Sequence, residues 1–232
     1  MVYNRLLNMK RCIVMICLVA IALTSYAQEE KKAANRPPSP EMTAIQTAIG
    51  LAKYGYANYS ATALAEAAKI LAETPVQDLD VAKQSEGGQK SAEKSTLMSF
   101  EPTKLIADAK KYAGKDKVTL AYISQIEKSI NKSATRGAVG GPKRAASTVN
   151  ARSNDRYVCK FWAGELAEVA VIGDGDYDLD LFIYDENGHL IASDTDYTDQ
   201  CICRWVPSWT GAFTIKIVNH GYVYSNYIIA TN

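Results

Sequence analysis

No apolar run in this 232-residue chain reaches the roughly 20 residues that a membrane-spanning helix needs. The longest lies at residues 12–23 of "MVYNRLLNMKRCIVMICLVAIALTSYAQ". Arg5, Lys10 and Arg11 precede it and Ser25-Tyr26-Ala27 follows it, the three-part layout of a secretory signal peptide. Residues 1–27 are therefore expected to be removed, leaving an exported chain with no membrane span. Histidine is scarce too: His189 and His220 are the only two, and neither stands in an HExxH motif. GxSxG, P-loop and dinucleotide fingerprints are also missing. Beyond the signal only Cys159, Cys201 and Cys203 remain, without the paired CxxC spacing of a zinc site. No set of nucleophile, base and orienting group is visible, so the chain is expected not to be an enzyme. A hydrolase of unrecognised type is the remote alternative. Residues 154–232 hold only four Lys or Arg against twelve Asp or Glu, which argues against nucleic acid as a partner, because phosphate recognition needs clustered cations.

What is present divides the chain in two. Residues 28–153 are net basic and residues 154–232 net acidic, a split hidden by the overall charge of +1. Residues 28–40, "QEEKKAANRPPSP", read as a flexible leader. Helical periodicity then begins: Ile45, Ala48, Ile49, Ala52 and Tyr56 form one apolar stripe, and Leu64, Ala67, Ala68 and Leu71 a second, ended by Pro75. The polar residues 76–96 read as a loop. Pro102 suits the first turn of a third helix and Gly114 its C-cap; Leu120, Ile123, Ile126 and Ile130 stripe a fourth. Residues 41–131 are thus expected to form a small helical bundle, and residues 132–153, basic and rich in Gly, Ser and Ala, a linker.

From Arg156 the period changes to two. "AEVAVIG", the alternation of Leu179, Leu181 and Ile183 with Asp180, Phe182 and Tyr184, and further runs near 190, 201, 212 and 226 predict six or seven short strands. Asn187-Gly188 marks a hairpin. The fold class expected is multidomain α plus β: a helical bundle, then an antiparallel, jelly-roll-like β-sandwich over residues 154–232. Cys201 and Cys203 share a strand face, so either is a candidate disulfide partner for Cys159.

The segment "GDGDYDLD" at 173–180 places Asp174, Asp176, Asp178 and Asp180 at alternate positions, and the return strand adds Asp194 and Asp196. So many like charges at one hairpin end call for a compensating cation, and a hard, oxygen-liganded ion such as calcium suits carboxylates. The EF-hand spacing fails, since Leu179 stands where that loop needs glycine.

The runs "FWAGELAEVAVIGDGDYDLDLFIYDENGHLIASD", "WTGAFTIKIVN" and "YIIATN" resemble the bacterial pre-peptidase C-terminal domain. That resemblance covers residues 154–232 alone. It implies a small, non-catalytic β-sandwich of the periplasm or the secreted fraction, able to bind calcium and to assist recognition of a substrate. No peptidase motif accompanies it here. Late aromatics, Trp209, Tyr222 and Tyr224, are candidate ligand contacts, while Trp205 and Tyr227 are expected in the core. The function expected is an exported accessory protein with a protein or glycan partner in the cell envelope, a carbohydrate-binding module being the sharper alternative.

Overall fold

The computed structural model describes residues 37–89, 98–133 and 142–232. The signal peptide and most of the leader fall outside them. Ser39 caps α1 (Pro40–Ala57), its side chain accepting from the Met42 amide at 3.2 Å, and Ser60 caps α2 (Ala61–Glu73) in the same way at 3.4 Å. Such caps satisfy amide donors that a helix start would otherwise strand. Pro102 opens α3 (Pro102–Ala113) and Gly114, at φ 58°, ends it; α4 spans Lys117–Ser133. The predicted stripes are the buried ones: Ile45, Ile49, Leu64, Leu71 and Ile123 have no more than 1 % of their surface exposed.

Two five-stranded sheets follow. The inner sheet has the order β1-β3-β10-β5-β8, built from β1 (Gln77–Asp78), β3 (Lys143–Val149), β5 (Ala167–Gly173), β8 (Gln200–Trp205) and β10 (Ser225–Thr231). The outer sheet has the order β2-β4-β9-β6-β7, from β2 (Gln84–Gln89), β4 (Ala151–Phe161), β6 (Leu179–Tyr184), β7 (Leu190–Asp194) and β9 (Gly211–Asn219). All pairs are antiparallel except β1 with β3. Tyr157, Phe161, Leu181, Ile183, Trp205, Phe213, Ile215 and Tyr227 fill the space between the sheets.

The inner sheet is buried on both faces. Ala170, Ile172, Ile228 and Ala230 turn away from the sandwich and join the helical core, which is why β5 and β10 read as unbroken apolar runs rather than alternations. Polar contacts lock the helical layer down: Lys53 pairs with Asp199 at 2.7 Å, the Arg144 guanidinium donates to the Leu71 carbonyl at 2.8 Å, and the Ser39 amide donates to Glu168, itself held by Arg204. Helices, inner sheet and outer sheet are three layers with shared cores.

Three expectations change. The stretch 132–153 is not a linker throughout: residues 143–149 and 151–153 are strand, because β10 pairs with every residue of the first and β2 and β9 supply partners to the second; residues 134–141 lie outside the described set. The sandwich does not begin at 154 either, since β1 and β2 come from the polar segment between the helical pairs. Nor do the described cysteines form a disulfide. Cys159, Cys201 and Cys203 are buried free thiols. Cys159 stands on the outer sheet and the other two on the inner one; packed sheets lie about 10 Å apart, whereas disulfide Cα atoms lie within about 7 Å. Burial pushes the Cys159 thiol up to about 11 and Cys203 up to about 12, so these are inert core side chains.

Candidate functional site

The six aspartates proposed for calcium do not converge. Asp174 is 1 % exposed and accepts from Ser225 Oγ at 3.0 Å and the Asn226 amide at 2.8 Å, tying the β5–β6 turn to the start of β10. Asp194 accepts from the Ile202 amide at 2.8 Å and so covers the backbone of β8. Asp196 closes a turn on Thr198, Asp180 bonds His220 Nε2 at 2.8 Å, and Asp176 is exposed. Asp178 alone keeps a buried, unpartnered oxygen, Oδ1; burial first, then the neighbouring Asp180 charge, raises its pKa above the usual carboxylate range. Among the described residues no three His, Cys, Asp or Glu side chains are placed to hold a metal ion together. The six do not fit one calcium site as they stand. Asp180 and Asp196 are near enough for their charges to act on Asp178, but they already hold His220 and Thr198.

The histidines are committed as well. His189 Nδ1 lies 3.0 Å from Asp185, whose carboxylate also accepts the Asn187 and His189 amides; burial opposes those donors, yet they hold the Asp185 carboxyl below its ordinary range. This is the hairpin turn that Asn187-Gly188 predicted, with Gly188 at φ 82°. His220 is exposed while Cys159 faces the core, so the two are not brought together as a nucleophile and base.

What the fold does assemble is the solvent face of the outer sheet, on which no other described layer packs. Because strand side chains alternate, the outward positions are fixed by the inward core: Asn154, Arg156, Val158 and Lys160 on β4, Ala212, Thr214, Lys216 and Val218 on β9, and Asp180, Phe182 and Tyr184 on β6. The registers set them in rows: Gln84, Arg156, Lys216, Phe182 and Ser193 in one, Val158, Thr214, Tyr184 and Leu190 in the next. Phe182 and Tyr184 stack at 6.3 Å between ring centroids and 23° between planes. Trp162, 60 % exposed, continues the face past β4, with Lys160 Nζ 5.0 Å from its ring centre. At the other end Arg152, at φ 52°, lays its guanidinium 4.1 Å over the Tyr222 ring. From Arg152 to Lys160 the face runs about 27 Å at ~3.4 Å per residue.

Two shallow clefts, each about 350 Å³, open on this face. One is lined by Glu86, Arg152, Asn154, Val218 and His220 among others, the second by Arg156, Tyr184, Asp185, Glu186, Thr214 and Lys216 among others.

Of the three aromatics predicted as contacts, Tyr222 stands at one end of the face and is 62 % exposed. Tyr224 is half-buried. Trp209 stacks on Phe213 at 5.7 Å and presses on Gly211, where an added Cβ would meet its Nε1 at 2.7 Å, so much of its ring is packing. Trp205 and Tyr227 are core, as expected. Sequence reasoning missed Phe182, Tyr184, Trp162, Arg156 and Lys216. The signal was there: Phe182 and Tyr184 occupy the outward half of a clean alternation, where a solvated strand would carry polar side chains.

No family model and no curated protein matches the chain. Among solved structures it is similar to the pre-peptidase C-terminal domain of a collagenase from Bacillus anthracis, at 7% identity over 40% of this chain and 90% of that one, with a TM-score of 0.32. It is similar also to a periplasmic inhibitor of g-type lysozyme from Aeromonas hydrophila (11%, 39% and 84%, TM-score 0.31). A family 11 carbohydrate-binding module from a cellulosomal cellulase of Clostridium thermocellum gives 8%, 40% and 83%, with a TM-score of 0.20. At these TM-scores the likenesses carry no argument about function. No helix among the described residues is long and apolar enough to cross a membrane.

Proposed function

We propose that this is an exported, non-catalytic binding protein that docks an extended glycan along the solvent face of its outer sheet. The observation that carries the reading is the asymmetry of the three layers. The helices cover one side of the sandwich, and the opposite face is left open with both clefts and the stacked Phe182–Tyr184 pair. A shallow face that interleaves aromatic rings with hydrogen-bonding side chains suits a ligand with apolar ring faces and polar edges. A protein partner is the competing occupant. The sandwich would then act as pre-peptidase C-terminal domains are understood to act, as an accessory recognition surface.

Glycan-array screening of the full chain should return binders whose affinity falls about tenfold or more in Tyr184→Ala, a loss of ~1.4 kcal/mol. Tyr184 is half-exposed on the face, so its truncation should leave the melting temperature within a few degrees. Retention of full affinity in Tyr184→Ala would remove the face from the reading.

Calcium belongs to the proposal only through Asp178, Asp180 and Asp196. Since Asp180 and Asp196 already hold protein donors, melting curves in calcium and in chelator are expected to coincide to within about two degrees. A larger rise in calcium, abolished by Asp178→Asn, would show that the two bonds open for a cation.

A further inference from the structure

The charge on the open face separates it from the domain that carries it. Residues 154–232 hold four basic side chains against twelve acidic ones. One of the four, Arg204, is spent under the helices on Glu168 at 2.8 Å. The other three, Arg156, Lys160 and Lys216, all project from the solvent face of the outer sheet, and Arg152 precedes them on β4. Arg152, Arg156 and Lys160 thus recur every fourth residue along one strand, about 14 Å apart at ~3.4 Å per residue. Lys216 sits directly across from Arg156 and makes no hydrogen bond or ion pair with a described residue. Lys216 is thus the uncompensated member of a like-charged cross-strand pair.

Most acids on the same face already hold a donor. Glu86 pairs with Arg156 at 2.8 Å, Asp180 bonds His220 and Asp185 bonds His189, while Glu186 lines the second cleft beside Arg156 and Lys216 and makes no ion pair with either. Lys216 and Lys160 are left without a carboxylate partner, one beside Phe182 in its row and the other over Trp162.

We infer that the glycan taken by this face is acidic: a polymer of carboxylated sugars whose charges meet Lys216, Arg156 and Lys160 while its rings rest on Tyr184, Phe182 and Trp162. The inference rests on the docking face proposed above and adds the ligand's charge to it. Cations spaced along an extended strand select a repeating anion, and the flanking aromatics select rings over a plain polyanion. Elsewhere the acidic surface of the same domain repels the ligand, so electrostatics fixes which face is used.

The test uses the full chain and three probes: an oligogalacturonate, the same oligomer as its methyl ester, and oligoglutamate of equal length. The acid oligomer is expected to bind at least about tenfold more tightly than either other probe, with an affinity that falls as salt rises. Lys216→Ala should weaken the acid oligomer by about three- to tenfold, leave the ester unchanged and leave the melting curve in place. Equal binding of acid and ester, both lost in Tyr184→Ala, would overturn the charge inference and keep the face. Equal binding of oligoglutamate would overturn the glycan as occupant. If the face bound only a neutral glycan from the array, the acidic ligand would be excluded while the docking face stood; binding insensitive to Tyr184→Ala would sink both.

Discussion

A chain cut back to residues 142–232 should lose the cooperative melt of the full protein and run as an aggregate or an expanded monomer that binds hydrophobic dye. The cut falls between the helical and the strand periodicity, but it would pass through two shared cores. It strips the helices from Ala170, Ile172, Ile228 and Ala230, which now pack against them. Exposing Ile172 and Ile228 alone costs about 3–6 kcal/mol at ~1.5–3 kcal/mol per buried side chain, comparable with the ~5–15 kcal/mol that a domain has in total. It also removes β1 and β2, and with β2 the partner of Arg156, Asp155 and Ser153 along β4. An uncovered apolar sheet face is an aggregation site in its own right. A soluble, monomeric 142–232 with a sharp transition would show instead that the helices are a detachable unit.

The same residues explain what could be read from the sequence. β5 and β6 fall on the residues expected because "AEVAVIG" is a continuous apolar run and Leu179–Tyr184 a strict alternation. The helices were readable from stripes closed by Ser60, Pro102 and Gly114. β2 was not, because "SEGGQ" has no strand pattern of its own; Gly87 and Gly88 sit at φ 77° and 111°, and the strand exists through its pairing with β4. β3 is similar, "KRAASTV" reading as spacer until β10 pairs with every residue of it. Strand propensity reports how a side chain fits a neighbouring surface, and here the surfaces come from distant sequence. The aspartates misled for a related reason. Alternation in sequence suggested one crowded hairpin end, whereas the fold distributes the carboxylates over separate turns, each with local donors. The docking face was half legible: Phe182 and Tyr184 betray it on β6, but the line of Arg152, Arg156 and Lys160 gains meaning only once Lys216 is known to lie across from it.

Asp155→Ala is expected to be a damaging truncation inside the sandwich and to reach the docking face as well. Asp155 is 1 % exposed and holds three donors: Ser85 Oγ at 2.5 Å, the Tyr227 hydroxyl at 2.8 Å and Lys83 Nζ at 3.2 Å. Tyr227 in turn meets the Tyr157 hydroxyl at 2.7 Å, and burial raises the pKa of both phenols, keeping them protonated as donors. Lys83 is a third exposed and can turn to water, so its loss is cheap. The Tyr227 hydroxyl cannot; it keeps only hydroxyl neighbours such as Tyr157, and losing its carboxylate acceptor in a buried place costs about 1–3 kcal/mol. With the bond to Ser85 added, the truncation should cost about 3 kcal/mol, or roughly 6–12 degrees in melting temperature for a chain of this size. Tyr227→Phe removes one donor and leaves Asp155 its others, so it should cost less than half as much. Because Ser85 and Lys83 attach the β2 edge to the sandwich through Asp155, amides paired in β2 should lose hydrogen-exchange protection in Asp155→Ala while those of β5 and β10 keep theirs. Glu86 and Gly87 on β2 line the first cleft, and Glu86 holds Arg156. Loosening that strand should therefore weaken binding at the face through a residue that faces the core and cannot touch the ligand. Melting, exchange and affinity measured on the one variant would separate the outcomes: a loss of stability with β2 still protected would confine Asp155 to the core and break its link to the face.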